Sequence, residues 1–128
     1  MGPIVNKAQL KKIDEAVKGG AAAGCELLLG GTIDQNKPGY HYLPTLLANC
    51  SRQSAIMHQE ILGPVLPVAT IADLDEALEV ANECGYGLTS SVFTRGLNTA
   101  FRAANELKSG ETYINREHFE AMQGFHSG

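Results

Sequence analysis

An α/β fold built on parallel strands is what the sequence predicts, and three observations carry the prediction. Short β-branched or apolar runs at residues 65–71, 88–94 and 111–115 read as strands. Between them, residues 73–84 and 97–107 repeat apolar side chains at helical spacing. Each helical window stops at a glycine, Gly85 and Gly110, so the order is β-α-β-α-β, the pattern of parallel strands joined by right-handed crossovers.

Ahead of that alternation, Leu10, Ile13 and Val17 fall at i, i+3 and i+7, while Lys11, Lys12, Asp14 and Glu15 take the other positions. Residues 7–19 are therefore an amphipathic helix, ended by Gly19-Gly20 or by Gly24. Residues 25–29 form a short apolar run bounded by glycines and are expected as a buried strand. A polar loop follows at 34–39, then a strand within 41–47 and a short helical segment at 55–61. Leu62-Gly63-Pro64 breaks that segment, and Pro67 inside the next strand implies a sheet edge or a bulge. Asp73 with Glu76 three residues later is an N-terminal helix cap, and Leu74, Ala77, Leu78 and Ala81 form the apolar face behind it. Leu97, Ala100, Phe101, Ala104 and Leu107 mark the last helix.

The 128 residues include 14 acidic and 10 basic side chains, a net charge of −4, with no basic tract and no tryptophan. On those grounds no nucleic-acid partner is expected, whether by bulk attraction or by base stacking. A composition of 44% hydrophobic and 19% charged residues is that of one globular domain. No apolar run approaches the roughly 20 residues that span a bilayer, and Met1-Gly2-Pro3-Ile4-Val5-Asn6-Lys7 lacks a signal layout, so a cytoplasmic protein without membrane partners is expected. Cys25, Cys50 and Cys84 match neither a zinc ribbon nor Cys-x-x-Cys and are expected as reduced structural thiols. Asn49-Cys50-Ser51 is a chance match to a glycosylation acceptor.

Several patterns invite a chemical reading. Gly85-Tyr86-Gly87 follows a helix and enters a strand, the reverse of a dinucleotide turn, and Cys25 stands where the lysine after the Gly19–Gly24 patch would have to be. His58-Gln59-Glu60 resembles half of a deaminase zinc motif, but the Pro-Cys-x-x-Cys half is missing, so no metal is expected. His118, Glu120 and His126 cluster beyond the last strand, where ligands of open α/β sheets sit, although from spacing alone a solvated loop is the simpler explanation. Glu60 precedes a rigid Gly-Pro turn; it reads either as a solvated carboxylate in a helix's last turn or as an acceptor-only group able to grip paired ribose hydroxyls.

Four segments together resemble the aldehyde dehydrogenase superfamily. They are Gly2-Pro3-Ile4-Val5-Asn6, Gly39-Tyr40-His41-Tyr42-Leu43-Pro44-Thr45-Leu46-Leu47, Glu60-Ile61-Leu62-Gly63-Pro64-Val65 and Tyr86-Gly87-Leu88-Thr89-Ser90-Ser91-Val92-Phe93-Thr94. The tail Gly110-Glu111-Thr112-Tyr113-Ile114-Asn115-Arg116-Glu117, with Phe119-Glu120-Ala121-Met122-Gln123-Gly124-Phe125-His126, looks like the lactaldehyde and glycolaldehyde dehydrogenases within it. The resemblance implies that residues 1–128 are part of a catalytic domain. The nucleophile segment, the base segment and the Rossmann cofactor half would precede it, and an oligomerisation segment would follow.

In that family a cysteine attacks the aldehyde, hydride passes to NAD or NADP, and a glutamate-activated water releases the acid. Carried over residue by residue, the resemblance implies that Glu60 binds the nicotinamide-ribose hydroxyls. Leu62 then takes the place of the usual phenylalanine beside the nicotinamide. Glu120 and His126 approach the substrate, a small 2-hydroxyaldehyde, and a homo-oligomer is implied for the parent. No catalytic residue is assigned within the chain, and the chain alone is expected to be inactive and to bind no cofactor tightly. The competing expectations are a stand-alone non-catalytic α/β module and a cysteine-dependent hydrolase, which needs a thiol reactive at neutral pH.

Overall fold

The computed structural model describes residues 1–117. The backbone gathers into two compact units, Met1–Thr70 and Ile71–Gly128, and each is α/β.

In the first unit, helix α1 (Lys7–Ala22) leads into strands β1 (Glu26–Leu29), β2 (Thr45–Ala48) and β3 (Val65–Pro67), with one 3₁₀ turn at Ala55–Met57. Asn6 caps α1 by accepting the backbone N–H of Gln9 at 2.8 Å. Leu10, Ile13 and Val17 are buried as their spacing predicts. The helix runs through Gly19-Gly20 rather than stopping there, because Gly20 is a contact residue. A Cβ on it would stand 2.9 Å from Ile56 Cδ1. Gly24, at φ +96°, is the terminator, and Cys25 N–H closes the turn on the Gly20 carbonyl at 3.0 Å.

The sheet order is β1-β2-β3, with β2 and β3 parallel and β1 antiparallel to β2. The parallel β2–β3 pair lies outside the alternation that the sequence predicts, which begins at β3. Pro67 lies on the edge strand, where its missing N–H leaves no ladder bond unmade. The buried strand expected at 25–29 is corrected. Cys25 is buried, but Leu27, Leu28 and Leu29 are exposed, because β1 is the opposite edge and its leucines stand outside the core. That core has two clusters, one around Leu10, Ile13, Val17 and Tyr42 and one around Cys25, Leu47, Cys50 and Ile56. Ile61 and Val65 pack against both.

The second unit runs α2 (Leu74–Glu83), β4 (Thr89–Val92), α3 (Leu97–Glu106) and β5 (Glu111–Ile114). Asp73 Oδ1 accepts from Glu76 N at 2.9 Å, and Glu76 Oε2 reaches back to accept from Ala72 N at 2.6 Å, a reciprocal cap one residue wider than the sequence implies. β4 and β5 are parallel, in register from Thr89↔Glu111 to Val92↔Ile114. The apolar face expected for α3 is not its core face. Ala103 is buried, whereas Leu97 and Phe101 are exposed, because small Ala103 is the side chain turned inward. No helix among the described residues is long and apolar enough to cross a membrane.

Candidate functional site

The site begins in the irregular segment between the 3₁₀ turn and β3. The helical segment expected at 55–61 is shorter, ending at Met57, so Glu60 stands in non-helical backbone and not in a helix's last turn. His58 ends the 3₁₀ turn and places Nε2 2.6 Å from the Arg52 carbonyl.

Glu60 is exposed, and its carboxylate makes no hydrogen bond or ion pair among the described residues. Ile61 turns inward between the two core clusters. Leu62 turns out again, with its side chain 68% exposed and its backbone in the left-handed region at φ +50°. Gly63 then passes so close over α1 that a Cβ would lie 2.5 Å from Ile13 Cδ1. Pro64 O accepts from Thr45 N at 2.8 Å, which delivers the chain into β3. One residue anchored inward thus holds two presented outward.

The acceptor chemistry of this segment fits a nucleoside's hydroxyls. A carboxylate with uncommitted oxygens accepts hydrogen bonds from two neighbouring hydroxyls, and the exposed Leu62 offers apolar surface close by in the chain. Beside the turn lies an apolar groove of about 440 Å³, lined by Leu29, Leu46, Gly63, Pro64 and Leu66 among others. Sequence reasoning missed this groove, because strand pairing assembles it from three separate segments and no motif spans them. It also missed Gln9, whose side-chain amide donates to Ile61 O at 2.6 Å and to Leu62 O at 3.5 Å across more than fifty residues of chain.

Glu120 and His126, like His118, lie outside the described residues. The chain leading to them is fixed at the end of β5 by Asn115, at φ +54°, whose amide pairs with the backbone of Thr94. Ser91 Oγ donates to Arg116 O at 2.6 Å one residue later.

The remaining sequence patterns resolve into packing. Gly87 sits where a Cβ would meet Lys108 O at 2.4 Å, and its carbonyl accepts from Gly110 N, so Gly87 serves a close backbone approach, whereas Gly85 has open space around it. Among the described residues, no three histidine, cysteine or acidic side chains gather as metal ligands would. Cys25, Cys50 and Cys84 are free thiols, the first two buried. Burial, reinforced by the neighbouring Cys25 thiol, pushes Cys50 up to about 11, so it holds its proton at neutral pH.

Residues 1–128 match the aldehyde dehydrogenase family. The chain is 48% identical over 128 residues to lactaldehyde dehydrogenase of Escherichia coli (strain K12), covering 100% of this chain and 26% of that protein. It is 38% identical over 131 residues to 3,6-anhydro-alpha-L-galactose dehydrogenase of Vibrio sp. (strain EJY3), covering 100% of this chain and 27% of that one. The crystal structure of the E. coli lactaldehyde dehydrogenase matches with a TM-score of 0.93 at 49% identity, over 99% of this chain and 26% of that chain. For 3,6-anhydro-L-galactose dehydrogenase in complex with NAP the TM-score is 0.92 at 38% identity, over 99% and 27% of the two chains. For 1-pyrroline-5-carboxylate dehydrogenase from Thermus with bound NAD it is 0.88 at 36% identity, over 94% and 23%. The chain spans about a quarter of the length of the curated relatives it matches.

Proposed function

We propose, from the premise that this chain belongs to the aldehyde dehydrogenase family, that it is the part of a nicotinamide-dependent enzyme that faces the cofactor's ribose and the substrate's hydroxyl. The substrate is a small 2-hydroxyaldehyde such as lactaldehyde or glycolaldehyde, and the product is the acid. The observation that carries this reading is the 48% identity to a lactaldehyde dehydrogenase along the entire chain.

When bound, the nicotinamide supplies the hydride acceptor. The chain's own residues do the positioning. Glu60 accepts hydrogen bonds from the ribose hydroxyls through a carboxylate that no other described residue engages. Leu62 lays an aliphatic side chain against the nicotinamide where a hydrophobic contact, and not ring stacking, is what it can provide. Glu120 and His126 hydrogen-bond the substrate's 2-hydroxyl, which favours hydroxyaldehydes over plain aldehydes. The cofactor is NAD or NADP, in keeping with structural relatives holding NAD and NAP.

The nucleophile and the base belong to a longer polypeptide, so the 128-residue chain alone does not turn over. Two of its three thiols support that view, since Cys25 and Cys50 are buried and Cys50 is protonated at neutral pH. The complete enzyme is cytoplasmic and homo-oligomeric in this reading. Exposed apolar side chains such as Leu28 in one unit and Phe101 in the other are surfaces that such an assembly would cover.

The test is an assay of the complete polypeptide with NAD and with NADP, on glycolaldehyde and lactaldehyde against acetaldehyde and propanal. The reading expects higher kcat/KM on the hydroxyaldehydes and no turnover by the 128-residue chain. Turnover by the short chain that is lost on thiol alkylation would contradict the missing nucleophile, and a preference for the plain aldehydes would contradict the substrate class.

A further inference from the structure

The segment that carries Glu60 and Leu62 lacks a ladder of its own. It belongs to no helix or strand, and Leu62 holds a left-handed backbone at φ +50°, a conformation a branched side chain keeps only when its surroundings impose it. The carbonyls on either side of that φ are those of Ile61 and Leu62. Both are hydrogen-bonded by one group, the side-chain amide of Gln9, at 2.6 and 3.5 Å.

Gln9 is itself fixed. Its backbone N–H is the one capped by Asn6 Oδ1, at 2.8 Å, so it stands in the rigid first turn of α1. One helical turn further on, Ile13 is fully buried and meets Gly63, where no Cβ fits. The turn is therefore held by α1 at two points, by amide-to-carbonyl bonds at Ile61-Leu62 and by close packing at Gly63. Glu60, just before the first anchor, and Leu62, within it, are both exposed. A glutamine suits the task because a primary amide donates to two carbonyls without bringing a charge to them.

We infer that Gln9 is a positioning residue for the cofactor turn: it holds Leu62 in its left-handed conformation and thereby sets the direction of the Glu60 carboxylate. The part concerning the cofactor rests on the reading of Glu60 as the ribose-binding group. A glutamate at position 9 keeps the volume but aims an acceptor-only carboxylate at two carbonyls, and an alanine removes the donor altogether.

The experiment has two arms. In the 128-residue chain, isotope-labelled NMR reads the Leu62 backbone directly through its Cα shift and its HN–Hα coupling. Gln9→Ala and Gln9→Glu should both lose the positive-φ signature at Leu62 while the amides of β2 and of the C-terminal half of α1 keep their shifts. A Leu62 signature unchanged in both variants overturns the inference. In the complete enzyme, the same variants should raise the KM for the nicotinamide cofactor roughly threefold to tenfold, the scale of one to two lost hydrogen bonds, with the aldehyde KM unchanged. Gln9→Lys, which restores a donor, should recover part of the loss, and a general loss of folded protein would not produce that pattern. A lost NMR signature together with an unchanged cofactor KM overturns the cofactor role of Gln9. If Glu60→Gln is also silent in the same assay, the ribose reading itself has failed; if Glu60→Gln weakens cofactor use, only the inference about Gln9 has.

Discussion

Asn115 clamps both backbone groups of Thr94: its Oδ1 accepts from Thr94 N at 2.8 Å and its Nδ2 donates to Thr94 O at 2.8 Å. One side chain thereby does across the ends of β4 and β5 what a further pair of ladder bonds would do. Its own backbone is left-handed, at φ +54°, a region asparagine tolerates better than most residues.

Replacing Asn115 separates those two roles. Asn115→Gly keeps the backbone conformation and loses the two bonds, a destabilisation of about 1–2 kcal/mol at this exposed position. Asn115→Ala loses the bonds and adds left-handed strain of roughly 1 kcal/mol. Urea unfolding should rank the stabilities as native, then the glycine variant, then the alanine variant. A glycine variant less stable than the alanine variant would show that the conformation is not what asparagine is there to hold.

Neighbouring glycines in α1 should respond with opposite signs. Gly19 has open space around it, so Gly19→Ala removes unfolded-state freedom and should stabilise by about 0.5–1 kcal/mol. At Gly20 a Cβ would stand 2.9 Å from Ile56 Cδ1, and Gly20→Ala should destabilise by roughly 1 kcal/mol or more as Ile56 is displaced. Thermal melts of the pair test this, and two shifts of the same sign would contradict the packing described at Gly20.

Those glycines also show how far the sequence was legible. The spacing of Leu10, Ile13 and Val17 located α1 and its buried face, and the glycine patch located its end only to within a few residues. A glycine that terminates and a glycine that admits Ile56 look alike until the partner thirty-six positions away is in place. The same limit applies at the site. The Gly-Pro turn after Glu60 was visible as a motif, but neither the left-handed Leu62 nor the Gln9 amide that holds it is a local property of the chain. The exposure of the β1 leucines is illegible for the same reason, since an apolar run reads the same on an edge strand as on a central one.

Alkaline pH should weaken the fold through Cys50 and Tyr42. An unfolded cysteine ionises near 9.0, whereas folded Cys50 holds its proton to about 11, so below 9.0 both states are protonated and its contribution is constant. Between those values the unfolded state releases a proton that the folded state keeps, so stability falls as pH rises. Burial and the Asp14 carboxylate raise Tyr42 above its usual 10.0, and the sign is the same. Unfolding free energies on either side of this window should therefore decline with pH, with a shallower decline in Cys50→Ala. A stability that is flat or rising across the window would contradict the buried, protonated thiol.

Substrate reading is assigned to residues beyond those the structure describes, and kinetics can address it. In the complete enzyme, His126→Ala should lower kcat/KM for lactaldehyde and glycolaldehyde more than for propanal and acetaldehyde. Loss of a hydrogen bond of roughly 0.5–1.5 kcal/mol predicts a selectivity change of about threefold to tenfold. Equal losses on both substrate pairs would confine His126 to a structural part.

The central claim, that Glu60 grips the cofactor's ribose, is tested most directly by the pre-steady-state rate of hydride transfer in the complete enzyme carrying Glu60→Gln. The amide preserves volume but replaces one acceptor oxygen with a donor, on a side chain that supports no other described contact. Hydride transfer should slow about tenfold with the melting temperature unchanged, the scale of one hydrogen bond to a charged group. A hydride-transfer rate equal to that of the native enzyme would contradict it and return Glu60 to the status of a solvated surface carboxylate.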